Sequence, residues 1–178
     1  MSALDSFRLD GRVAVVTGST RGIGRAAALA LADAGADILV TGRDASAAAD
    51  VVAEIQQRGR RAHSVLIDLT EDDAPERIIA EAEQHLGAVD VLVNNAGICR
   101  WKPALDITAD ELHEVMNTNV GVTLLMCQAA ARRMRSQGSG VIVNVGSISG
   151  FIVNRPQEQA SYNASKAAVH QLTRSLAV

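Results

Sequence analysis

The stretch Val13-Ala14-Val15-Val16-Thr17-Gly18-Ser19-Thr20-Arg21-Gly22-Ile23-Gly24 decides the architecture. Its four consecutive apolar residues suit a strand covered on both faces, because a strand with one wet face alternates instead. A glycine-rich turn follows at once, and residues 26–34 are rich in Ala and Leu, good helix formers. Strand, glycine turn and helix in that order form the setting a dinucleotide-binding turn requires. Glycine permits a tight turn and close approach of the backbone, and the helix N-terminus faces a phosphate group.

The alternation continues along the chain. Asp37-Ile38-Leu39-Val40-Thr41 predicts a second strand, ended by Gly42-Arg43-Asp44, and residues 45–58 a helix closed by Gly59. Residues 62–67 predict a third strand, ending at Asp68-Leu69. Residues 71–85 then predict a helix, with Asp72 and Asp73 in its first turn and Gly87 after its end. Residues 89–93 predict a fourth strand before Asn94-Asn95-Ala96-Gly97, and residues 109–135 one long helix with a break near Gly121. Residues 141–145 predict a fifth strand before Gly146-Ser147-Ile148-Ser149-Gly150; a loop containing Pro156 leads to a helix starting near Ser161. Strands alternating with helices in this way imply an α/β fold. The expected form is a Rossmann-type, doubly wound parallel sheet with helices on both faces, one dinucleotide-binding domain over residues 1–178. Right-handed crossovers put the C-terminal ends of the strands along one edge. The glycine turn, Arg43, Asp68, Asn94-Asn95-Ala96-Gly97 and Ser147 all collect there, where open α/β sheets bind ligands.

Composition narrows the function classes. A chain of 178 residues, 48% hydrophobic and 21% charged, suits one soluble domain; aromatics at 2% leave the core to Ala, Val, Leu and Ile. A net charge of −3 gives no reason to expect nucleic acid or an anionic membrane as partner. The uncharged stretches 115–131 and 136–154 carry too many Asn, Gln, Ser and Gly to span a bilayer. The N-terminus, with Asp5, Arg8, Asp10 and Arg12, lacks a signal-peptide apolar region, and Cys99 and Cys127 are not at metal-ligand spacing. A cytoplasmic protein is expected. His63, His85, His113 and His170 show no common face and no ligand spacing, so they read as surface or helix-end residues and no metal is expected. Arg132, Arg133 and Arg135 read as solvent-facing cations at a helix C-terminus. Trp101 reads equally as a pocket wall or a loop anchor.

Near the end of the chain stands Ser161-Tyr162-Asn163-Ala164-Ser165-Lys166, with the chain's single tyrosine. On a helix, residues four apart share a face, so the phenol and the ammonium can approach each other. A neighbouring cation favours the phenolate, which turns a phenol into an acid/base group usable near neutral pH.

In their order, Thr17-Gly18-x-x-x-Gly22-x-Gly24, Asp68, Asn94-Asn95-Ala96-Gly97, Asn119, Ser147 and Tyr162-x-x-x-Lys166 resemble the motifs of the short-chain dehydrogenase/reductases, over essentially the whole chain. That resemblance implies a role for each. Tyr162 would donate or accept the proton, and Ser147 would hydrogen-bond the reacting oxygen. Lys166 would hold the nicotinamide ribose and favour the Tyr162 phenolate, and Asn119 would support a water linking Lys166 to solvent. Gly18, Ser19, Thr20, Arg21, Gly22, Ile23 and Gly24 would cradle the cofactor. Asp68 and Leu69 would meet its adenine end, and Asn95, Ala96 and Gly97 its adenosine and ribose. The resemblance also implies a small-molecule carbonyl or alcohol substrate and a homo-oligomer, tetramer or dimer. The family continues beyond the Tyr162 helix through two more strands and a substrate-covering segment. The resemblance therefore implies a chain truncated at its C-terminus, without the last strands, and little activity for residues 1–178 alone.

A carboxylate about twenty residues beyond the glycines selects NAD, and an arginine there accommodates a 2′-phosphate. Spacing leaves both Arg43 and Asp44 eligible. In the family pattern the discriminating acid sits at the strand end, where this chain has Gly42; Arg43 and Arg21 then imply NADP(H) rather than NAD(H). The partly polar loop Ile152-Val153-Asn154-Arg155-Pro156-Gln157 resembles sugar- and polyol-oxidising members, with 3-oxoacyl thioester reduction as the alternative. A non-catalytic NADP(H)-binding module is a further alternative, disfavoured by the intact Ser147, Tyr162 and Lys166. A sugar-nucleotide epimerase is disfavoured by the glycine spacing.

Overall fold

A computed structural model describes residues 5–153 and 155–178. Asn154, in the loop singled out above, lies outside the described residues. Strands β1 (Val13–Val16), β2 (Asp37–Gly42), β3 (Ala62–Leu66), β4 (Val91–Asn94) and β5 (Val141–Asn144) form one parallel sheet in the order β3-β2-β1-β4-β5. Val15 stands opposite Leu39 on one side and Leu92 on the other. The chain order reverses between β1 and β4, which opens a crevice at their C-terminal ends.

Helices α1 (Gly22–Asp33) and α2 (Ala45–Gln57) cover one face of the sheet; α3 (Ala74–Leu86) and α5 (Val122–Gln137) cover the other. β1 shows why its apolar run is unbroken. Val13 and Val15 join Ile78, Ala82 and Met126 on one face, while Ala14 and Val16 join Ala28, Val51 and Ile55 on the other. The doubly wound sheet expected from the alternation is the fold observed. Among the described residues no helix is long and apolar enough to cross a membrane.

Several local expectations shift. α1 begins at Gly22, because the end of the glycine turn is already helical. α3 begins at Ala74: Pro75 occupies its first turn, where a missing N–H costs nothing, and this leaves Asp72 and Asp73 ahead of the helix. The long helix expected over 109–135 does break near Gly121, as the sequence suggested: α4 (Ala109–Met116) and α5 are joined by a π-helical segment, Asn117–Gly121. Arg132 and Arg133 do not simply face solvent; they pair with Glu76 and Glu83 on α3 and tie α5 to it. The histidines depart furthest from expectation. His63 and His85 are stacked, with ring centroids 3.7 Å apart, and His170 lies half-buried beneath the segment that carries Ser147.

Asp37 anchors the edge strand to the rest of the sheet. Its buried carboxylate accepts from the Arg61 amide at 2.9 Å, the Arg61 guanidinium at 2.8 Å and the Arg60 guanidinium at 3.1 Å. Burial pushes this carboxyl up, but the two arginines together outweigh it and hold it below the usual carboxylate range. A depressed carboxyl stabilises the fold above its unfolded value, near pH 4, and the contribution is lost as pH falls through the folded value. Asp37→Asn should therefore lower the thermal midpoint at pH 7 by an amount corresponding to about 1–3 kcal/mol, with the deficit shrinking below about pH 4. Unfolding curves across that range check it, and a deficit that is constant with pH would refute it.

Candidate functional site

The site is built where the turn after β1 meets the turn after β4. Thr17 Oγ1 accepts from the backbone N–H groups of Asn95 at 2.9 Å and Ala96 at 3.0 Å. The Asn95 side-chain amide donates in return to the carbonyls of Thr17 at 2.9 Å and Gly18 at 3.2 Å. This interlock brings the two turns so close that a Cβ on Gly24 would stand 2.4 Å from both Asn95 Nδ2 and the Gly18 carbonyl oxygen. Only glycine fits. Asn95 thus shapes the crevice as well as lining it.

A cleft of about 1020 Å³ opens beyond these turns, at the upper end of ordinary ligand sites. Of the expected cofactor residues, Gly18, Thr20, Arg21, Gly22, Ile23, Gly24, Arg43, Asp68, Leu69, Asn95, Ala96 and Gly97 line it, whereas Tyr162 and Lys166, also expected at the cofactor, are not on the lining. Ser19 does not line it either: it is wholly buried, its hydroxyl accepts from Thr41 N and its own N–H donates to Thr41 O, each at 3.0 Å, so it holds the turn from behind. The lining also includes Ala47, Thr70, Ile98 and Thr118, which carry no motif and became visible only once the chain had folded.

The lining is electrostatically mixed, with Arg21, Arg43 and Arg100 against Asp44, Asp68 and Glu114, and the donors that suit an anion collect at the glycine turn. No side chain caps α1, so its first-turn N–H groups remain available. Among the described residues, Arg21 and Arg43 stand exposed on the lining, and Arg21 has no ion-pair partner. Arg43 meets Asp68 at 3.2 Å but stays 76% exposed. Asp68 is also held by Thr70, whose N–H and hydroxyl donate to it at 3.0 and 2.7 Å; these bonds first, and Arg43 after them, keep its carboxyl below the usual range. Spacing left Arg43 and Asp44 equal, and both line the cleft; they differ in that the Asp44 carboxylate also caps α2, accepting from Ala47 N at 3.1 Å.

At its far end the cleft reaches Gly97, where a Cβ would stand 3.1 Å from Asn119 Oδ1 and 3.7 Å from Lys166 Nζ. Asn119 sits in the π-helical segment. Its amide clamps Ile98, accepting from the N–H at 2.8 Å and donating to the carbonyl at 2.9 Å, and also donates to Ser165 Oγ at 2.9 Å. Helix α6 (Ala160–Leu176) carries the rest. Lys166 is only 5% exposed; its ammonium donates to Val145 O at 2.7 Å and lies 5.8 Å from the centre of the Tyr162 ring. Burial pushes that ammonium down from its usual value. Ser147 follows β5, and its hydroxyl accepts from Ser149 N at 3.1 Å. Trp101, left open by the sequence, is 71% exposed and lines a separate cavity of about 210 Å³ with Lys102, Pro103, Pro156, Gln157 and Glu158.

A family model described as short chain dehydrogenase matches residues 12–178. The chain belongs to the short-chain dehydrogenase family. It is 43% identical to a galactitol 2-dehydrogenase (L-tagatose-forming) of Cereibacter sphaeroides over 96% of this chain and 66% of that one. It is 39% identical to a 3-oxoacyl-acyl-carrier-protein reductase of Aquifex aeolicus, over 96% and 68% respectively. Among solved structures, a gluconate 5-dehydrogenase from Burkholderia cenocepacia in complex with NADP and tartrate superposes with a TM-score of 0.90 at 39% identity, covering 98% of this chain and 68% of that one. The chain thus spans about two thirds of the length of these relatives.

In this short-chain dehydrogenase, Tyr162, Lys166 and His170 occupy one face of α6 at four-residue intervals. His170 was missed by the sequence reading, since a lone histidine in a helix carries no motif. The Ser147 N–H donates to His170 Nε2 at 3.4 Å, the Phe151 ring stacks on the imidazole at 4.2 Å, and a Cβ on Gly146 or Gly150 would collide with it. Residues 146–151 are therefore wrapped around the imidazole, which fixes where the Ser147 hydroxyl points. His170→Leu should lower kcat and leave cofactor affinity unchanged; His170→Gln, which restores an acceptor near the Nε2 position, should recover most of the loss. Steady-state kinetics and cofactor titration of the complete natural protein check this; equal losses in both variants would contradict it.

Proposed function

We propose that the chain is part of an NADP(H)-dependent oxidoreductase that interconverts a secondary alcohol and a ketone, with a sugar or polyol as substrate. The observation that carries this reading is the single face of α6. There Lys166 and His170 tie the helix to the segment bearing Ser147, at Val145 O and Ser147 N, with the Tyr162 ring 5.8 Å from the Lys166 ammonium. The cofactor, when bound, supplies or accepts the hydride. The residues of this chain do the remainder. Hydride transfer to a ketone develops negative charge on oxygen. Tyr162 holds the proton that neutralises it, and Ser147 supports the same oxygen with a hydrogen bond. The buried Lys166 ammonium lies beside the Tyr162 ring, and Asn119 maintains the packing between the π-helical segment and α6.

The preference for NADP(H) rests on the adenosine end. A Cβ on Gly42 would stand 2.4 Å from Thr20 Cγ2, so an acid at that strand end would have to displace the Thr20 side chain, while Arg43 and Arg21 stand ready for a 2′-phosphate. The galactitol and gluconate dehydrogenase relatives support a polyhydroxylated substrate; the thioester reductase relative supports the alternative. We read the complete protein as a cytoplasmic homo-oligomer on the sequence grounds given above.

In the complete natural protein, Tyr162→Phe should cut turnover by about 10²–10⁴-fold while NADPH affinity stays nearly unchanged. A parallel panel of polyols, ketoses and 3-oxoacyl thioesters identifies the substrate class, and turnover of thioesters alone would remove the polyol reading. Arg43→Ala should lower kcat/KM with NADPH by about tenfold, the scale of a lost charge-assisted bond, and barely affect NADH. A wild-type preference for NADH would defeat the cofactor assignment.

A further inference from the structure

Strand β3, at one edge of the sheet, and helix α3 bring together three side chains that the cleft does not use. His63 stands on β3, opposite Leu39; Glu81 and His85 lie one turn apart on α3. The two imidazoles stack with their planes 15° apart, and both Nε2 atoms meet one oxygen. Glu81 Oε2 lies 3.3 Å from that of His63 and 3.2 Å from that of His85. All three ligand atoms fall within 4.8 Å of one another. The side chains are 34%, 38% and 37% exposed for His63, Glu81 and His85, so an ion can enter from solvent.

We propose that His63, Glu81 and His85 form a zinc-class divalent-metal site that clasps edge strand β3 to helix α3. The distances supply the first reason. Zinc binds imidazole nitrogen and carboxylate oxygen at about 2.0–2.1 Å, which sets the donors of a tetrahedral ion about 3.3 Å apart. Two of the three donor separations already have that value. The third closes, and the two ring lone pairs turn from side by side to convergent, by rotation about χ2, a soft torsion for histidine. The donor set supplies the second reason. Two imidazoles and one carboxylate suit zinc and its late first-row neighbours, whereas calcium and magnesium demand more oxygen ligands and no thiolate is present to select softer ions. A water completes the fourth position on the open side.

The position explains what such an ion would do. His63 lies near the start of β3, while Asp68 and Thr70, which line the cofactor cleft, follow its other end. The ion would therefore sit away from the chemistry and act on stability. An edge strand is held on only one side by backbone hydrogen bonds, and a metal bridge to α3 supplies a second attachment. The rival arrangement has both rings donating N–H to Glu81 with no ion, and it differs in what binds.

The test uses the untagged complete natural protein, stripped with a chelator and carrying Cys99→Ser to remove the exposed thiol, titrated with Zn²⁺ by calorimetry and followed by thermal unfolding. The expected result is one zinc per chain and a raised unfolding midpoint. His63→Asn and His85→Asn should each weaken zinc binding by more than about tenfold, the scale on which even outer-shell changes act, and abolish the midpoint shift while cofactor binding is unchanged. Glu81→Gln, which keeps an acceptor for the ring N–H groups, should lose most of the zinc-induced shift while its zinc-free midpoint stays near that of the parent. If the parent takes up no zinc, or the single-histidine variants bind as tightly as it does, the proposal fails and the cluster is a hydrogen-bonded clamp.

Discussion

The structure depends on the reciprocal hydrogen bonding of Thr17 and Asn95 across the switch point of the sheet. The ladder between β1 and β4 fixes the spacing of the two strands, so what remains to be set at the crevice is the separation of the turns beyond them. Here a hydroxyl and a carboxamide set it, each completing the backbone of the other turn. Everything on the lining inherits its position from that interlock. The glycine turn and α1 hold one end of the cleft, and Ala96 and Gly97 carry the other end to Asn119 and Lys166. A polar pair in this place is stable because every buried donor it brings is matched, the condition under which polar networks rigidify a fold instead of weakening it.

The second half of the site obeys the same rule with a charge. Lys166 leaves water, and burial opposes its ammonium. The Val145 carbonyl offsets part of that cost, and the bond also draws α6 onto the end of β5. His170 adds a second attachment one turn further along. Ser147, on an irregular segment, thereby has its backbone tied to a helix, the kind of fixed position that chemistry on a developing oxyanion would need.

Much of this was legible in the sequence. β1 and β2 were visible because parallel strands buried on both faces read as short apolar runs, and the less buried β3, β4 and β5 because a short run led in each case to Gly, Asn or Asp. The glycine turn, Asp68, Asn95 and Ser147 were visible because each follows such a run, and Tyr162 and Lys166 because of their four-residue spacing and the family motif they match. Three kinds of feature were hidden. Helix phase was one, since the start of α3 turned on where Pro75 would sit, and the break near Gly121 gave no sign that the turn there would be π-helical. Competition for one side chain was another: Asp44 and Arg43 were indistinguishable until Asp44 proved to cap α2. Contacts between residues far apart in sequence were the third. His63 and His85 are 22 positions apart, and no spacing rule joins a strand residue to a helix residue across a crossover. Ser19 shows the converse, a motif residue whose place within the motif said nothing about which way its hydroxyl turns.

The π-helical segment Asn117–Gly121 has a consequence for how this chain can vary. An α-helix advances about 100° per residue, and a π turn holds one residue more than an α turn, so the segment acts as a phase adjuster between α4 and α5. It lets Asn119 look toward Ile98 and Ser165 while Val122, Met126, Ala129 and Ala130 keep facing the sheet. Exchanging a side chain there disturbs one contact. Adding or removing a single residue would instead turn the whole apolar stripe of α5 by about 100° away from β1 and β4. Length, more than composition, is what this segment must conserve.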